Sequence, residues 1–214
     1  IFGCKRLCVD TGYFAAYNQP HVNLIDVSKN PIERFTRKGI VANDIEIELD
    51  SVVCATGFAA MTGSFDKIQI TGRNGLTLKD KWSAGPRTYL GLSSNGFPNL
   101  FMITGPGSPS VLASMIQAIE QHVDWIADCI SHMRDIGAST IEAKVHSEND
   151  WVDHVNEVSQ ISLRSTCSSW YVGANIPGRP RVFMPYIGGF PIYVDKCNKI
   201  MMGGYEGFVV AGSE

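Results

Sequence analysis

The sequence has no apolar run near the ~18 residues that a helix needs to cross a bilayer, no surplus of basic charge and no C-x-x-C pair. With 18 Lys and Arg against 21 Asp and Glu, its formal charge is −3. That offers neither nucleic acid nor an anionic membrane an electrostatic footprint. The six cysteines, at 4, 8, 54, 129, 167 and 197, follow no regular spacing. Reduced thiols in an intracellular, cytoplasmic protein are therefore expected, with Cys54 and Cys129 as plain core residues. Histidines are also sparse, and none stands at ligand spacing from another. Asp150 and His154 read as a solvated i,i+4 pair, so no metal site is expected. What remains is globular: 44% hydrophobic and 18% charged over 214 residues, enough for one large domain or parts of two.

The stretch from Asn99 to Met133 is the most informative. Asn99-Leu100-Phe101-Met102-Ile103 is an apolar run of strand length, followed by Thr104-Gly105-Pro106-Gly107-Ser108-Pro109-Ser110. Then Leu112, Met115, Ile116, Ile119, Val123, Ile126, Ile130 and Met133 recur at three and four, predicting a helix with that face buried, closed by Gly137. Strand, glycine-rich turn and helix together bring a helix N-terminus to the carboxyl edge of a sheet, where α/β folds bind ligands. A plain loop, with Ser108 as N-cap and Pro109 in the first helical position, is the simpler alternative. The turn is not a dinucleotide fingerprint, because Ser110 stands where the third glycine belongs. Nor is it a nucleophile elbow, since no glycine stands two places after a serine.

Upstream, Val22–Val27 reads as a strand. Ile32–Phe35, Gly39–Val41 and Ile45–Leu49, separated by a glycine and by Asn43-Asp44, read as an antiparallel meander. Leu49–Ala55 is nearly continuous in apolar residues, as in a strand buried on both faces, and ends in Thr56-Gly57-Phe58. The stretch from Met61 to Asn95 is loop-rich, with Trp82 as an anchor. Downstream, a helix is expected over Ser147–Leu163 with Trp151, Val155 and Val158 inward. A long aromatic, glycine and proline segment follows at 168–181, of the length that functional lids have. Val182–Tyr186 reads as a strand, Tyr193–Met202 as a helix and Tyr205–Val210 as a last strand.

Seven short stretches in this order resemble the Baeyer–Villiger monooxygenases, the flavoprotein family of phenylacetone and cyclohexanone monooxygenases. They are Gly-Cys-Lys-Arg at 3–6, Ala-Thr-Gly-Phe at 55–58, Gly-Pro-Arg-Thr-Tyr-Leu-Gly at 85–91 and Thr-Gly-Pro-Gly-Ser-Pro-Ser at 104–110. The others are Glu-Gln-His-Val-Asp-Trp at 120–125, Ser-Trp-Tyr-Val-Gly-Ala-Asn-Ile-Pro-Gly at 169–178 and Gly-Tyr-Glu-Gly-Phe at 204–208. The resemblance implies an α/β, Rossmann-like FAD/NAD(P)-binding architecture, of which this is the C-terminal portion only. The family's two G-x-G-x-x-G turns do not occur here, and the chain opens at Ile1 rather than Met. Residues 1–57 are accordingly expected to be the C-terminal end of an NADP-binding domain, and 58–214 the C-terminal half of an FAD-binding domain.

The implied activity is that of an NADPH- and FAD-dependent monooxygenase. NADPH reduces the flavin, O2 adds at C4a, and the peroxide inserts an oxygen beside a ketone carbonyl to give an ester or lactone. By resemblance Arg6 is the active-site arginine, Lys5 a neighbouring NADP contact and Trp170 the mobile-loop tryptophan over the nicotinamide nucleotide. Met115 presents its N–H to the flavin's pyrimidine edge, Thr56, Gly57 and Phe58 form the crossing between domains, and Pro109, Ser110, Val111 and Leu112 line the ketone pocket. Two departures stand out: Ser114 replaces a common Asn, and Leu163-Arg164-Ser165 replaces a Leu-Phe-Pro-like run. An N- or S-oxygenating flavin monooxygenase is the alternative, and an isolated fragment without its phosphate-binding turns is expected to be inactive.

Overall fold

The structure, a computed structural model, describes residues 4–5, 8–110 and 113–212. The chain divides into two compact units, one of them Leu7–Gly57 and the other made of the remaining residues.

The smaller unit holds a short helix α1 (Tyr13–Ala16) and an antiparallel meander, β1 (Ile32–Phe35), β2 (Gly39–Ala42) and β3 (Ile45–Glu48). Its tight corner is the expected one. Asn43 and Asp44 both adopt positive φ, 54° and 60°, between the paired residues Ala42 and Ile45. That is the geometry whose twist matches flanking strands, and short polar residues tolerate it best. Two expected strands do not form. Val22–Val27 is irregular, and Leu49–Ala55 is extended and exposed, with Val53 at 87% and the Cys54 thiol at the surface rather than in a core. A strand is a relation between two segments; Leu49 N–H still donates to the Lys38 carbonyl (2.8 Å), but no described segment pairs with Val22–Val27 or with the residues after Leu49.

The larger unit is built on three helices, α3 (Met115–Asp135), α4 (Val145–Ser159) and α5 (Phe190–Met202), with a two-stranded antiparallel ribbon of β4 (Ala138–Ala143) and β5 (Phe208–Gly212). A one-turn helix, α2 (Leu78–Lys81), precedes them, capped by the Thr77 hydroxyl, which accepts from Asp80 N–H. α3 ends as its sequence predicts: Gly137 takes φ +68°, the left-handed position that stops a helix cheaply. Trp125, Cys129, Ile141, Trp151, Tyr193 and Phe208 form the core where helices and ribbon meet, and Trp125 Nε1–H donates to the Cys197 carbonyl (3.1 Å). Glu148 is buried on α4 and ion-paired with Lys81 (2.8 Å). It also accepts from Ser94 Oγ (3.0 Å) and Asn95 N–H (2.8 Å).

The face of α3 differs from expectation. Ala118, His122, Trp125, Cys129 and Met133 are buried, whereas Ile116, Ile119, Val123 and Ile130 are exposed. Among the described residues of the stripe read from the sequence, Met133 alone is fully inward. Asn99–Ile103 is not a strand either. Asn99, at φ +59°, exchanges bonds with Ile141 through its backbone N–H (2.9 Å) and its Oδ1 (3.0 Å), so one side chain stands in for a neighbouring strand beside β4. Val182–Tyr186 is extended, with a single bridge between Tyr186 and Pro109. Among the described residues no helix is long and apolar enough to cross a membrane.

Candidate functional site

The glycine turn is buried from Gly105 to Ser110 and bonded on every side. Thr88 Oγ1–H donates to the Pro106 carbonyl (2.6 Å) and Trp151 Nε1–H to that of Gly107 (3.1 Å). Gly107 N–H donates to Met184 (2.6 Å), Ser108 Oγ–H to Gly105 (2.7 Å), and the Ser108 carbonyl accepts from Tyr186 N–H (3.0 Å). Gly107 has φ +84°, and a Cβ there would lie 2.9 Å from Thr88 Oγ1, so the position admits no side chain. The turn does not cap a helix directly, because α3 begins only at Met115, after Ser114.

A buried relay holds the entrance to the turn. Thr104 adopts φ +53°, costly for a β-branched residue, and its N–H donates to His122 Nδ1 (2.8 Å). Tyr193 O–H donates to the Leu90 carbonyl (2.7 Å), and the same oxygen lies 2.9 Å from His122 Nε2. Tyr193 has one proton to give, so its oxygen accepts from Nε2–H. His122 is therefore the neutral Nε2–H tautomer. Burial, with 0% of the residue exposed, pushes its pKa down to about 4.

At the far end of the turn Ser110 is 5% exposed, and its hydroxyl meets no hydrogen-bond partner among the described residues. α3 starts close by in sequence, and Ser114 gives it no side-chain cap. Its first bonded amide is that of Ala118, to Ser114 (3.0 Å), so the amides of Met115, Ile116 and Gln117 meet no acceptor among the described residues. An uncapped 21-residue helix leaves donors and a positive dipole end for a polar ligand, and an unsatisfied buried hydroxyl shortly precedes it in sequence.

The other expected site residues are distributed as follows. Arg6, Val111 and Leu112 lie outside the described residues. Lys5 is exposed, and Pro109 is buried with Ser110. Thr56 and Gly57 belong to the smaller unit and Phe58, 89% exposed, to the larger. Trp170 is half-buried, opens a 3-10 turn over 170–172 and packs edge-on against Tyr171 with ring centroids 4.2 Å apart.

Cys4 and Cys167 form a disulfide, with Cα atoms 5.6 Å apart. This corrects the expectation of six thiols, and it brings the residue before Lys5 to the start of the Trp170 segment. Arg179, on the far side of that segment, bonds to Thr62 and Asp66. The Asp150–His154 pair does not form among the described residues. His154 instead faces the rings of Trp151 (5.5 Å) and Tyr186 (5.8 Å).

No family model matches the sequence, but known proteins do. The chain is 39% identical over 212 residues to acetone monooxygenase (methyl acetate-forming) of Gordonia sp., covering 98% of this chain and 40% of that protein. It is 37% identical over 206 residues to a Baeyer–Villiger monooxygenase of Pseudooceanicola batsensis, covering 96% and 37%. It superposes on the solved structure of an oxidized steroid monooxygenase bound to NADP with a TM-score of 0.88 at 47% identity, over 99% of this chain and 40% of that one. Over nearly its whole length the chain is similar to part of a Baeyer–Villiger monooxygenase.

It spans about 40% of the length of the curated relatives that it matches. The sequence does not reveal His122, Tyr193 or the Cys4–Cys167 pair, and it places Trp151 inward without its bond to Gly107. His122 and Trp125 lie in Glu-Gln-His-Val-Asp-Trp, a stretch that carried the resemblance but suggested no role. The spacing of His122 from Trp125, Cys129 and Met133 was a signal that the imidazole faces inward.

Proposed function

We propose that the protein carrying this chain is an NADPH- and FAD-dependent Baeyer–Villiger monooxygenase, inserting one oxygen of O2 beside a ketone carbonyl to give an ester or lactone. Residues 1–57 are assigned to the end of its NADP-binding domain and 58–214 to the C-terminal half of its FAD-binding domain. The nucleotide-binding glycine turns are assigned to sequence outside these residues. The observation that carries the reading is the Ser110 hydroxyl, unpartnered among the described residues, followed closely in sequence by the uncapped start of α3. A polar, partly anionic cofactor edge satisfies both.

When bound, the reduced flavin supplies the oxygen activation and NADPH the electrons. The residues of this chain bind, orient and stabilise charge. Met115 N–H and the α3 dipole stabilise negative charge along the flavin edge. The Arg6 guanidinium, charged at any working pH, donates to the ketone oxygen, orients the carbonyl and stabilises negative charge as it develops there. Lys5 contacts the ribose or phosphate of NADP. Trp170 covers the nicotinamide nucleotide and donates its indole N–H to a ribose hydroxyl. Pro109, Ser110, Val111 and Leu112 shape the ketone pocket, and Thr56, Gly57 and Phe58 carry the chain between domains. NADPH dependence fits a cytoplasmic enzyme, and there the Cys4–Cys167 bond would exchange with the thiol pool.

The test is turnover of the whole protein with NADPH, O2 and a panel of ketones. Esters or lactones should form, and Arg6→Ala should lower their rate by roughly 10²–10³ while NADPH still reduces the flavin. An unchanged ester rate in that variant, or N- or S-oxides with no ester, refutes the reading. The isolated 214 residues should bind FAD negligibly, and a yellow, NADPH-oxidising preparation of them refutes the division proposed here.

A further inference from the structure

A second candidate site lies away from the glycine turn, in a cleft of about 430 Å³ between the start of α4 and one side of α5. Lys144, Lys196 and Lys199 line it, and none of the three has an ion-pair partner among the described residues. Lys196 Nζ lies 5.0 Å from the Trp151 ring centroid, so its charge is held over an aromatic face rather than against a carboxylate. Two carboxylates, Asp150 and Glu206, also line the cleft, leaving three ammonium groups against two. The Lys196 charge acts across α4: after burial, it is the next cause that lowers the His154 pKa.

The cleft contains the N-terminus of a 15-residue helix. Glu148 N–H makes the first bond there, to the Lys144 carbonyl (3.0 Å), and Lys144 provides no side-chain cap. The amides of Val145, His146 and Ser147 meet no acceptor among the described residues. The acid of the first turn, Glu148, does not oppose an anion, because Lys81 neutralises it on the buried side. Ser147 supplies an independent observation. It lines the cleft, is 8% exposed, and its hydroxyl has no hydrogen-bond partner among the described residues.

We propose that this cleft binds an organic phosphate monoester, its phosphoryl oxygens held by the Ser147 hydroxyl, the first-turn amides of α4 and the ammonium groups of Lys144 and Lys199. Tetrahedral oxygens match unpaired amides at a helix start, and lysines act on them as point charges without the planar fork that carboxylate recognition favours. The cleft is in the size range of small-molecule sites and exceeds what a bare phosphate fills, which leaves room for the organic part of a monoester.

The experiment is calorimetric titration of phenyl phosphate into the whole protein. A 1:1 isotherm with Kd on the order of 0.1–1 mM is expected. Lys144→Ala/Lys199→Ala should weaken binding at least about tenfold, and Ser147→Ala about threefold, while Lys144→Arg/Lys199→Arg, which keeps the charge, should stay within about threefold of wild type. Circular dichroism identifies any variant that fails to fold, and the charge-keeping pair then carries the comparison with Ser147→Ala. The absence of saturable binding below 10 mM, at ~20 times the expected range's midpoint, overturns the proposal. So does binding of equal strength in wild type and the double alanine variant. Neither the flavin nor Arg6 enters, so a failure here leaves the monooxygenase reading standing.

Discussion

His122 gives the sharpest stability prediction. In the folded chain it accepts from Thr104 N–H through Nδ1 and has no room for a second proton, and burial holds its pKa at about 4 against an ordinary 6.5. An unfolded chain binds that proton with its ordinary affinity. Between these values the unfolded state holds more protons than the folded one, so stability rises with pH through the window and is lost as the pH falls. From pH 7.5 to pH 4.5 the loss for this single group is about 2.5 kcal/mol, and about 3.4 kcal/mol once both states are charged.

Other groups also titrate in acid, so the comparison is made against His122→Asn. Its side-chain oxygen can still accept from Thr104 N–H, but it binds no proton. Urea unfolding of the whole protein, wild type and variant, at pH 7.5 and 4.5 gives the difference directly. The variant should be less stable at pH 7.5, having lost the bond to Tyr193, and should lose about 2.5 kcal/mol less on acidification. Equal losses in the two proteins would mean that His122 is not held neutral, and the relay described above would be wrong.

Two more predictions follow from the larger unit. Lys81→Met strands the Glu148 carboxylate in the core with Ser94 and Asn95 as its remaining donors, and should cost about 3–5 kcal/mol by denaturant unfolding; Glu148→Gln, which removes the charge, should cost less. The Cys4–Cys167 bond joins residues 163 apart in sequence. Reduction, or Cys167→Ser, should therefore lower stability by up to about 5 kcal/mol on the chain-entropy account, read as a reductant-dependent melting temperature; equal melting with and without reductant would show that the bond contributes nothing.

Features encoded locally were legible in the sequence. The Asn43-Asp44 turn fixed the meander because its conformation depends on two adjacent residues. Gly137 marks the end of α3 for the same reason, and the expected helix over Tyr193–Met202 falls within α5, which starts three residues earlier. Pairings between distant segments were not legible. β4 was passed over, since Ala-Ser-Thr-Ile-Glu-Ala shows its alternation only once Ile141 and Ala143 pair with β5. Asn99–Ile103 has a strand's composition, but Asn99 spends its amide and side chain on Ile141 instead. At the site, the motif pointed to Ser110 and Met115. It did not point to His122, because a histidine on an otherwise apolar face reads as polar until its partners are known.

The misread face of α3 bears on the proposed function. The helix is apolar on two sides: one packs against α5 and the ribbon, while the other leaves Ile116 at 70%, Val123 at 44% and Ile130 at 45% exposed. Burying each of these side chains would be worth about 1.5–3 kcal/mol, a gain that a surface helix ordinarily does not forgo. Val53, 87% exposed in an extended apolar segment, presents the same excess in the smaller unit. A helix with two apolar faces belongs inside a layered α/β architecture, and an unpaired apolar segment belongs among parallel strands. Both features are what a chain spanning about 40% of the length of its relatives should display if the remaining layers are supplied by sequence outside it. Hydrogen exchange of the whole protein tests this: amides of α3 from Ile116 to Ile130 and of Val52–Ala55 should be protected, and rapid exchange there would place both segments at a true surface.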